Sequence, residues 1–286
     1  MSSSPGCLYL VPTPIGNLHD WSQRAIEVVK KVDLLAVEDT RRAKQLLANF
    51  ALDKPMLSLH EHNERERAPR IIARCQQGEQ VALMSDAGTP LVSDPGFYLV
   101  RCAHEAKIPV VPIPGPCAAI VALSASGLPS DRFVFEGFLP AKKHARQARL
   151  EALATEPRTL IFYESTHRIV DMLTDAQHVF GTERVCAIAK ELTKCHETIW
   201  RGRLAEAVDW LTAVPERRRG EFVVLVEGVD KSPPSLHMTP EMLAKRLAAH
   251  LSPSQAAQIA AELTGEKKRT LYRCLMDNKP FDEDLP

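Results

Sequence analysis

The stretch VALMSDAGTPLVSDPGF, Val81 to Phe97, decides how the first half of the chain is read. Val81-Ala82-Leu83-Met84 is an apolar run of strand length, and a helical pattern begins at Phe97. Between them the pair Ser-Asp occurs twice, at Ser85-Asp86 and Ser93-Asp94. The second pair has the form of a helix start: Ser93 or Asp94 as N-cap, Pro95 in the first turn, the helix under way at Gly96-Phe97. No ligand is needed to explain it. The first pair is surplus. Asp86 stands directly at the strand end, and Ala87-Gly88-Thr89-Pro90 must turn the chain without starting a helix. Residues that small let a ligand approach the backbone. A carboxylate beside them suits a neutral or cationic ligand better than a phosphate.

Outward from this stretch the same alternation repeats. Strands are expected at Leu8–Val11, Leu34–Val37, Met56–Leu59 and Val110–Ile113, with helices at Ser22–Lys31, Arg41–Phe50, Asn63–Gln76 and Phe97–Ala106. That spacing is the signature of βαβ units in a parallel, doubly wound sheet, whose ligands sit beyond the carboxyl ends of the strands. A turn-rich break, SGLPSDRF, leads into a second half. There strands (Phe133–Phe138, Thr159–Tyr163, Val185–Ala189, Thr198–Arg201, Phe222–Glu227) and helices (Ala145–Ala154, Ile169–Phe180, Leu204–Leu211) suggest a mixed sheet. The stiff segment DKSPPS, Asp230 to Ser235, precedes three short helices, Pro240–His250, Ser254–Leu263 and Lys267–Met276. The expected organisation is an N-terminal α/β domain over residues 1–126, a second α/β domain over 127–230, and a linker with a small helical domain over 231–286.

The 286 residues are 45% hydrophobic and 25% charged, which is ordinary for a globular protein. No apolar window is long enough to span a membrane, and Met1 to Cys7 has neither the basic flank nor the apolar core of a signal peptide. A cytoplasmic protein is expected. Seven cysteines, scattered singly without a CxxC pair, suit reduced thiols and argue against a disulfide framework or a zinc site. Basic and acidic residues balance at 36 each, so any nucleic-acid contact must come from local patches.

Other strand-end loops carry chemistry too. VPTPIGNLHDWS, Val11 to Ser22, is a rigid loop with Asp20 or Ser22 free to cap a helix; it lacks GxGxxG, and no GxxxxGK[ST] occurs anywhere. VEDTRRAKQLL, Val37 to Leu47, places Glu38 and Asp39 beside Arg41, with Asp39 or Thr40 as the cap. In LHEHNERER, His60-Glu61-His62 has no third metal ligand at a useful spacing, so a polar loop is the better reading and no metal is expected. Gly115-Pro116 repeats the turn-then-helix design, with Pro116 at the first helical position and Cys117, Ala118 and Ala119 in a first turn free of bulk.

In order, PTPIGNL, EDTR, SDAGTPLVSDPG, PGPCAA, GLPSDRF, EGFLP, YESTHR, KELTK and RGE resemble the ribosomal RNA small-subunit methyltransferase I family. That family lies within the tetrapyrrole-methylase-like class of S-adenosylmethionine enzymes. Each string is weak alone, their joint order is specific, and the match covers about Leu8 to Gly228 with a compatible tail. Where tetrapyrrole enzymes carry Gly-Asp-Pro, this chain has Ser85-Asp86-Ala87, as the RNA-modifying branch does. The resemblance implies transfer of a methyl group from S-adenosylmethionine to the ribose 2′-hydroxyl of a cytidine in small-subunit ribosomal RNA. It also implies a cofactor folded in a cleft between two α/β domains, and a homodimer acting on the small subunit.

On that footing Asp86, Ala87, Gly88, Thr89 and Pro90, with Gly115, Pro116 and Cys117, are the expected cofactor wall. Tyr163, Glu164 and Lys190 are expected to close it from the second half. Glu38, Asp39 and Glu191 are the candidate proton acceptors, with Asn17 as an orienting group, and no spacing singles one out. Arg41 and Arg168 are candidate phosphate contacts near the cleft, each equally readable as a surface ion pair. AKKHARQAR, RRR at Arg217–Arg219 and EKKRTLYR are basic patches. In the tail a helix, a glycine turn and a basic helix suggest a helix-turn-helix presenting Lys267, Lys268, Arg269 and Arg273. The competing readings are a tetrapyrrole-type small-molecule methyltransferase and a non-catalytic RNA-binding assembly factor.

Overall fold

The computed structural model describes residues 6–229 and 239–276. The segment Asp230 to Ser235, expected as a linker, lies outside the described residues. The chain divides into two compact units, Met1–Val229 and Asp230–Pro286.

The first unit begins with β1 (Leu8–Val11), α1 (Gln23–Lys31), β2 (Leu34–Val37), α2 (Thr40–Ala48), β3 (Met56–Ser58), α3 (Glu64–Gln76), β4 (Val81–Met84), α4 (Phe97–Glu105) and β5 (Val110–Pro112). These five strands form one parallel sheet in the order β3-β2-β4-β1-β5. Val81 of β4 is level with Leu8 on one side and Leu34 on the other. Every residue of β2 and β4 is buried, as expected of parallel strands covered on both faces. Successive side chains feed opposite cores. Leu34, Ala36, Val81 and Leu83 pack with α3 and α4, whereas Leu35, Val37, Ala82 and Met84 pack with α1 and α2.

The chain continues through α5 (Ala118–Ser126), β6 (Phe133–Phe138), α6 (Lys143–Ala152), β7 (Thr159–Ser165), α7 (Ile169–Phe180), β8 (Val185–Lys190), β9 (Thr198–Arg203), α8 (Leu204–Thr212) and β10 (Glu221–Val226). The second sheet is mixed, ordered β6-β7-β10-β8-β9, with β6 and β7 parallel and the other pairs antiparallel. Helices α6, α7 and α8 cover one face around Phe162, Met172 and Ile188. The other face receives α5, whose Ala119, Ala122 and Leu123 pack on Ile161, Ala187 and Leu225. The small side chains of AAIVALSAS let this helix lie directly on the sheet.

The basic stretch AKKHARQAR is less exposed than its charge suggests. Arg146 is buried against Asp175, with Nε 2.7 Å from Oδ2, and Gln147 donates to the other carboxylate oxygen at 2.8 Å. Arg149 is paired in a two-pronged contact with Glu136 at 2.8 Å.

The second unit consists of α9 (Pro240–Ala248), α10 (Pro253–Thr264) and α11 (Lys268–Met276) around Ala244, Ala257, Ala260 and Leu271. Ser252 and Gln255 form a capping box at the start of α10, and Gly265 ends it at φ +75°. No described helix is long and apolar enough to cross a membrane.

Candidate active site

The loops after β1, β2 and β4 leave the carboxyl ends of adjacent strands and are fastened to one another. Thr13 and Gly88 exchange backbone hydrogen bonds at 2.9 and 3.1 Å, and the Thr13 hydroxyl donates to the Ser85 carbonyl at 3.2 Å. Trp21, buried, donates its indole N–H to the Pro12 carbonyl at 2.9 Å. The same first loop reaches the second sheet, where the Asn17 N–H donates to the Thr193 hydroxyl at 3.1 Å. These loops and the ends of β7, β8 and β10 enclose a cavity of about 710 Å³.

Its floor is acidic. Asp86 accepts the Asp39 N–H at 3.1 Å and pairs with the Arg42 guanidinium at 3.1 Å. Glu38 lies beside it. Burial, reinforced by Asp86, pushes Glu38 up against the opposing pull of Arg42 and His60. Asp94 completes the group: burial first, then the charges of Glu38 and Asp86, push its carboxyl up to about 6, although the Ser85 hydroxyl pulls the other way.

Asp94 corrects the reading of Ser93-Asp94-Pro95-Gly96 as a self-sufficient helix start. The N-cap of α4 is Gly96, at φ +128°, and it offers no side chain. Glu64 of α3 caps the helix from outside, accepting the Leu99 N–H at 2.9 Å. With capping done by another element, Ser93 and Asp94 are free to line the cavity. The conformation is strained, since Leu91 and Ser93 take φ +72° and +66°. Gly96 is required there, because a Cβ would lie 2.5 Å from Leu83 Cδ2.

The same device recurs at α5. Its N-cap is Cys117, which places Pro116 outside the helix and not at its first position. The Tyr163 hydroxyl of β7 accepts the Ala119 N–H at 3.1 Å, and Phe135 and Phe138 pack edge-on against its ring. Burial and the neighbouring Cys117 push the Tyr163 phenol up, so it stays protonated.

Of the expected cofactor wall, Asp86, Ala87, Gly88, Thr89 and Cys117 line the cavity, as do Tyr163 and Glu164. Pro90, Gly115 and Pro116 stand behind it. The Pro116 carbonyl accepts the Thr89 hydroxyl at 2.8 Å, and Gly115 packs where a Cβ would lie 2.3 Å from Pro12 Cγ. Lys190 lines a neighbouring cavity instead. Among the lining residues that sequence reasoning missed are Arg42 and Asp94. For Asp94 the available signal was the glycine immediately before Phe97, which leaves α4 without a local side-chain cap.

The three candidate proton acceptors separate in environment. Asp39 caps α2 and binds Arg41 through Nε at 3.2 Å and Nη2 at 2.8 Å; those hydrogen bonds hold its carboxyl down at about 2. Glu191, at φ +51°, is raised by burial but lowered further by Lys194 and the Glu221 N–H, each 2.9 Å from Oε1, so its net shift is downward. Only Glu38 is pushed toward neutrality. Arg41 is exposed and engaged with Asp39. Arg168 donates to the Leu139 carbonyl and stands 3.4 Å from the buried Glu164. Both guanidiniums already have partners, although Nε of Arg168 is buried without a hydrogen bond among the described residues. In the second unit Lys267, Lys268, Arg269 and Arg273 are all exposed.

A family model described as Tetrapyrrole (Corrin/Porphyrin) Methylases matches residues 7–208, and one described as RsmI C-terminal HTH domain matches 241–279. The protein named ribosomal RNA small subunit methyltransferase I from Haemophilus influenzae is 52% identical over 275 residues, covering 96% of this chain and 97% of that one. Its namesake from Escherichia coli O157:H7 is 50% identical over 277 residues, covering 97% of each. Among solved structures, uroporphyrin-III C-methyl transferase from Thermus thermophilus, complexed with S-adenyl homocysteine, has the same fold at a TM-score of 0.53. It is 19% identical, covering 77% of this chain and 97% of that one. The strand order, the cavity at the strand ends, the basic helical unit and these full-length relatives agree: the chain belongs to the ribosomal RNA small subunit methyltransferase I family, within the tetrapyrrole methylases.

Proposed function

We propose that the protein transfers a methyl group from S-adenosylmethionine to small-subunit ribosomal RNA, at the 2′-hydroxyl of a cytidine ribose. The observation that carries this reading is the acidic floor of the cavity. Glu38, Asp86 and Asp94 converge in a space of about 710 Å³, flanked by the apolar Ile15, Val92 and Leu192. An enclosure of that size suits one cofactor-sized ligand, and its charge complements a cation. The relatives' names supply the RNA substrate, and the bound product of the Thermus enzyme supplies the class of methyl donor.

S-adenosylmethionine, when bound, supplies a methyl on a positively charged sulfur. The residues of this chain then have four tasks. Asp86, fixed by the Asp39 N–H and Arg42, is assigned to holding the donor together with the Ala87–Thr89 backbone. Cys117, Tyr163 and Glu164 are assigned to the opposite wall. Glu38 is the proposed proton acceptor for the ribose hydroxyl, because a carboxylate raised toward neutrality is a better base than Asp39 or Glu191. Lys267, Lys268, Arg269 and Arg273 are assigned to phosphate contacts. Action as a homodimer, in the cytoplasm where its substrate is made, belongs to the same reading.

The test supplies the purified chain with methyl-labelled S-adenosylmethionine and, separately, isolated small subunits, naked small-subunit RNA and a porphyrin precursor. Label is expected in RNA, at a position where the following phosphodiester resists alkali, since a 2′-O-methyl group blocks attack by the ribose oxygen. Label only in the porphyrin fraction overturns the substrate, and no label anywhere favours the assembly-factor reading. Sedimentation velocity tests the dimer.

A further inference from the structure

Beside the first cavity lies a second, of about 410 Å³, and the two share Glu191 and Gly220 in their walls. Lys190, the last residue of β8, lines the second cavity and is only 7% exposed. Among the described residues its ammonium makes no hydrogen bond and no ion pair. Glu191, whose charge it feels, has its carboxylate already held by Lys194 and the Glu221 N–H. The stem of Lys190 is buried, while its unpaired ammonium reaches the open space of the cavity. A fold that keeps such an ammonium at a cavity wall has it available for an anion that arrives from outside.

The rest of the lining carries both signs of charge, and most of it is already committed. Arg219 is exposed at the rim, and its guanidinium also makes no hydrogen bond or ion pair among the described residues. Arg217 lies over the Trp210 ring, 5.0 Å from its centroid, and donates to the Trp210 carbonyl at 3.0 Å. Of the carboxylates in the lining, Glu191 is held as described and Glu197 accepts the Thr193 N–H at 2.6 Å. Glu216, exposed, is the lining carboxylate without a hydrogen bond or ion pair among the described residues. With Glu191 and Glu197 engaged, the uncommitted charges of the lining are the two cations Lys190 and Arg219 against the single carboxylate of Glu216.

We propose that this second cavity is a subsite for a backbone phosphate of the RNA strand, adjoining the nucleotide that enters the first cavity, with Lys190 as the contact in its wall and Arg219 at its rim. The proposal rests on the RNA-methyltransferase reading. It gives Lys190 a role toward substrate, where the resemblance implied one toward cofactor. Glu191 and Gly220, common to both cavities, then stand between donor and phosphate.

The experiment uses the full chain carrying Lys190→Met or Arg219→Gln. It measures affinity for naked small-subunit RNA against salt, calorimetric affinity for S-adenosylhomocysteine, and the melting temperature. One charge-assisted contact removed is expected to weaken RNA binding roughly tenfold. It is also expected to lower the slope of log affinity against log salt by about 0.7 to 0.9. Affinity for S-adenosylhomocysteine should be unchanged, and the Lys190→Met melting temperature should equal or exceed that of the parent. RNA affinity and slope unchanged in both variants overturn the proposal. So does a loss of S-adenosylhomocysteine affinity with RNA binding intact, which would return Lys190 to the cofactor. A fall in melting temperature with both ligands weakened alike would assign it a structural role. If the parent chain methylates no RNA yet Lys190→Met still loses RNA affinity, the enzymatic reading fails and the subsite stands.

Discussion

Asp94 holds the most consequential position in the cavity, because its charge depends on what occupies the space. Its carboxyl is raised from an ordinary 3.8 to about 6 by burial and by Glu38 and Asp86. Between those two values the folded state binds a proton that the unfolded state has lost, so stability falls as pH rises through that window. Asp94→Asn is therefore expected to melt higher than the parent at pH 7.5. Calorimetric scans should show the difference shrinking as pH falls toward 4, and a difference independent of pH would contradict the assignment. A bound sulfonium favours the ionised form, so S-adenosylmethionine should bind more weakly as pH falls through about 6, with the dependence lost in Asp94→Asn. The place of Asp86 in a strand-end cavity was legible in the sequence because nothing local needed it. That of Asp94 was hidden, since Ser-Asp-Pro-Gly satisfies every local rule for a helix start and the true cap, Glu64, is remote in sequence. Asp39 shows the reverse case: the bland reading as a cap was available, and it is the one the geometry favours.

Elements were read more reliably than single residues, because amphipathic periodicity is a property averaged over several turns. Helix α7 runs Ile169–Phe180 as expected, with Ile169, Met172, Leu173, Ala176 and Phe180 on its buried side. Charge was the misleading signal. In α6 the run of basic residues reads as a solvated or RNA-facing surface, yet Arg146 shares the inward stripe with Leu150 and is buried against Asp175. Its spacing from Leu150 carried that information. Truncating one member of such a pair leaves the other buried and unpaired, so Arg146→Ala is expected to cost ~3–5 kcal/mol in urea unfolding. Asp175→Leu combined with Arg146→Met should recover much of that loss. Equal losses in the single and double variants would show that the pair itself, and not the orphaned charge, matters.

At the scale of the whole molecule, a chain with no net charge binds RNA only if its positive charge is local. Lys267, Lys268 and Arg269 lie exposed at the start of α11, in the unit matched by the helix-turn-helix model. Replacing all three with Gln should weaken RNA binding and reduce its salt dependence by two to three contacts' worth, at about 0.7 to 0.9 per contact. Calorimetric binding of S-adenosylhomocysteine should not change, and a change there would show that the substitutions act on the first unit. Both sheets were legible because βαβ spacing and adjacent antiparallel strands leave different patterns in a sequence. The second cavity was not, because its residues come from separate loops that only the folded sheet brings together. The order of the first sheet also has a consequence for synthesis. β1 and β2 do not pair with each other; each pairs with β4, which is made after both. A nascent chain that has reached only α3 therefore has β2–β3 pairing available but no centre to its sheet. The emergence of Val81–Met84 from the ribosome is the event that allows the N-terminal half to close, and the loop that follows it at once carries Asp86 and Asp94, two of the three carboxylates of the cavity floor.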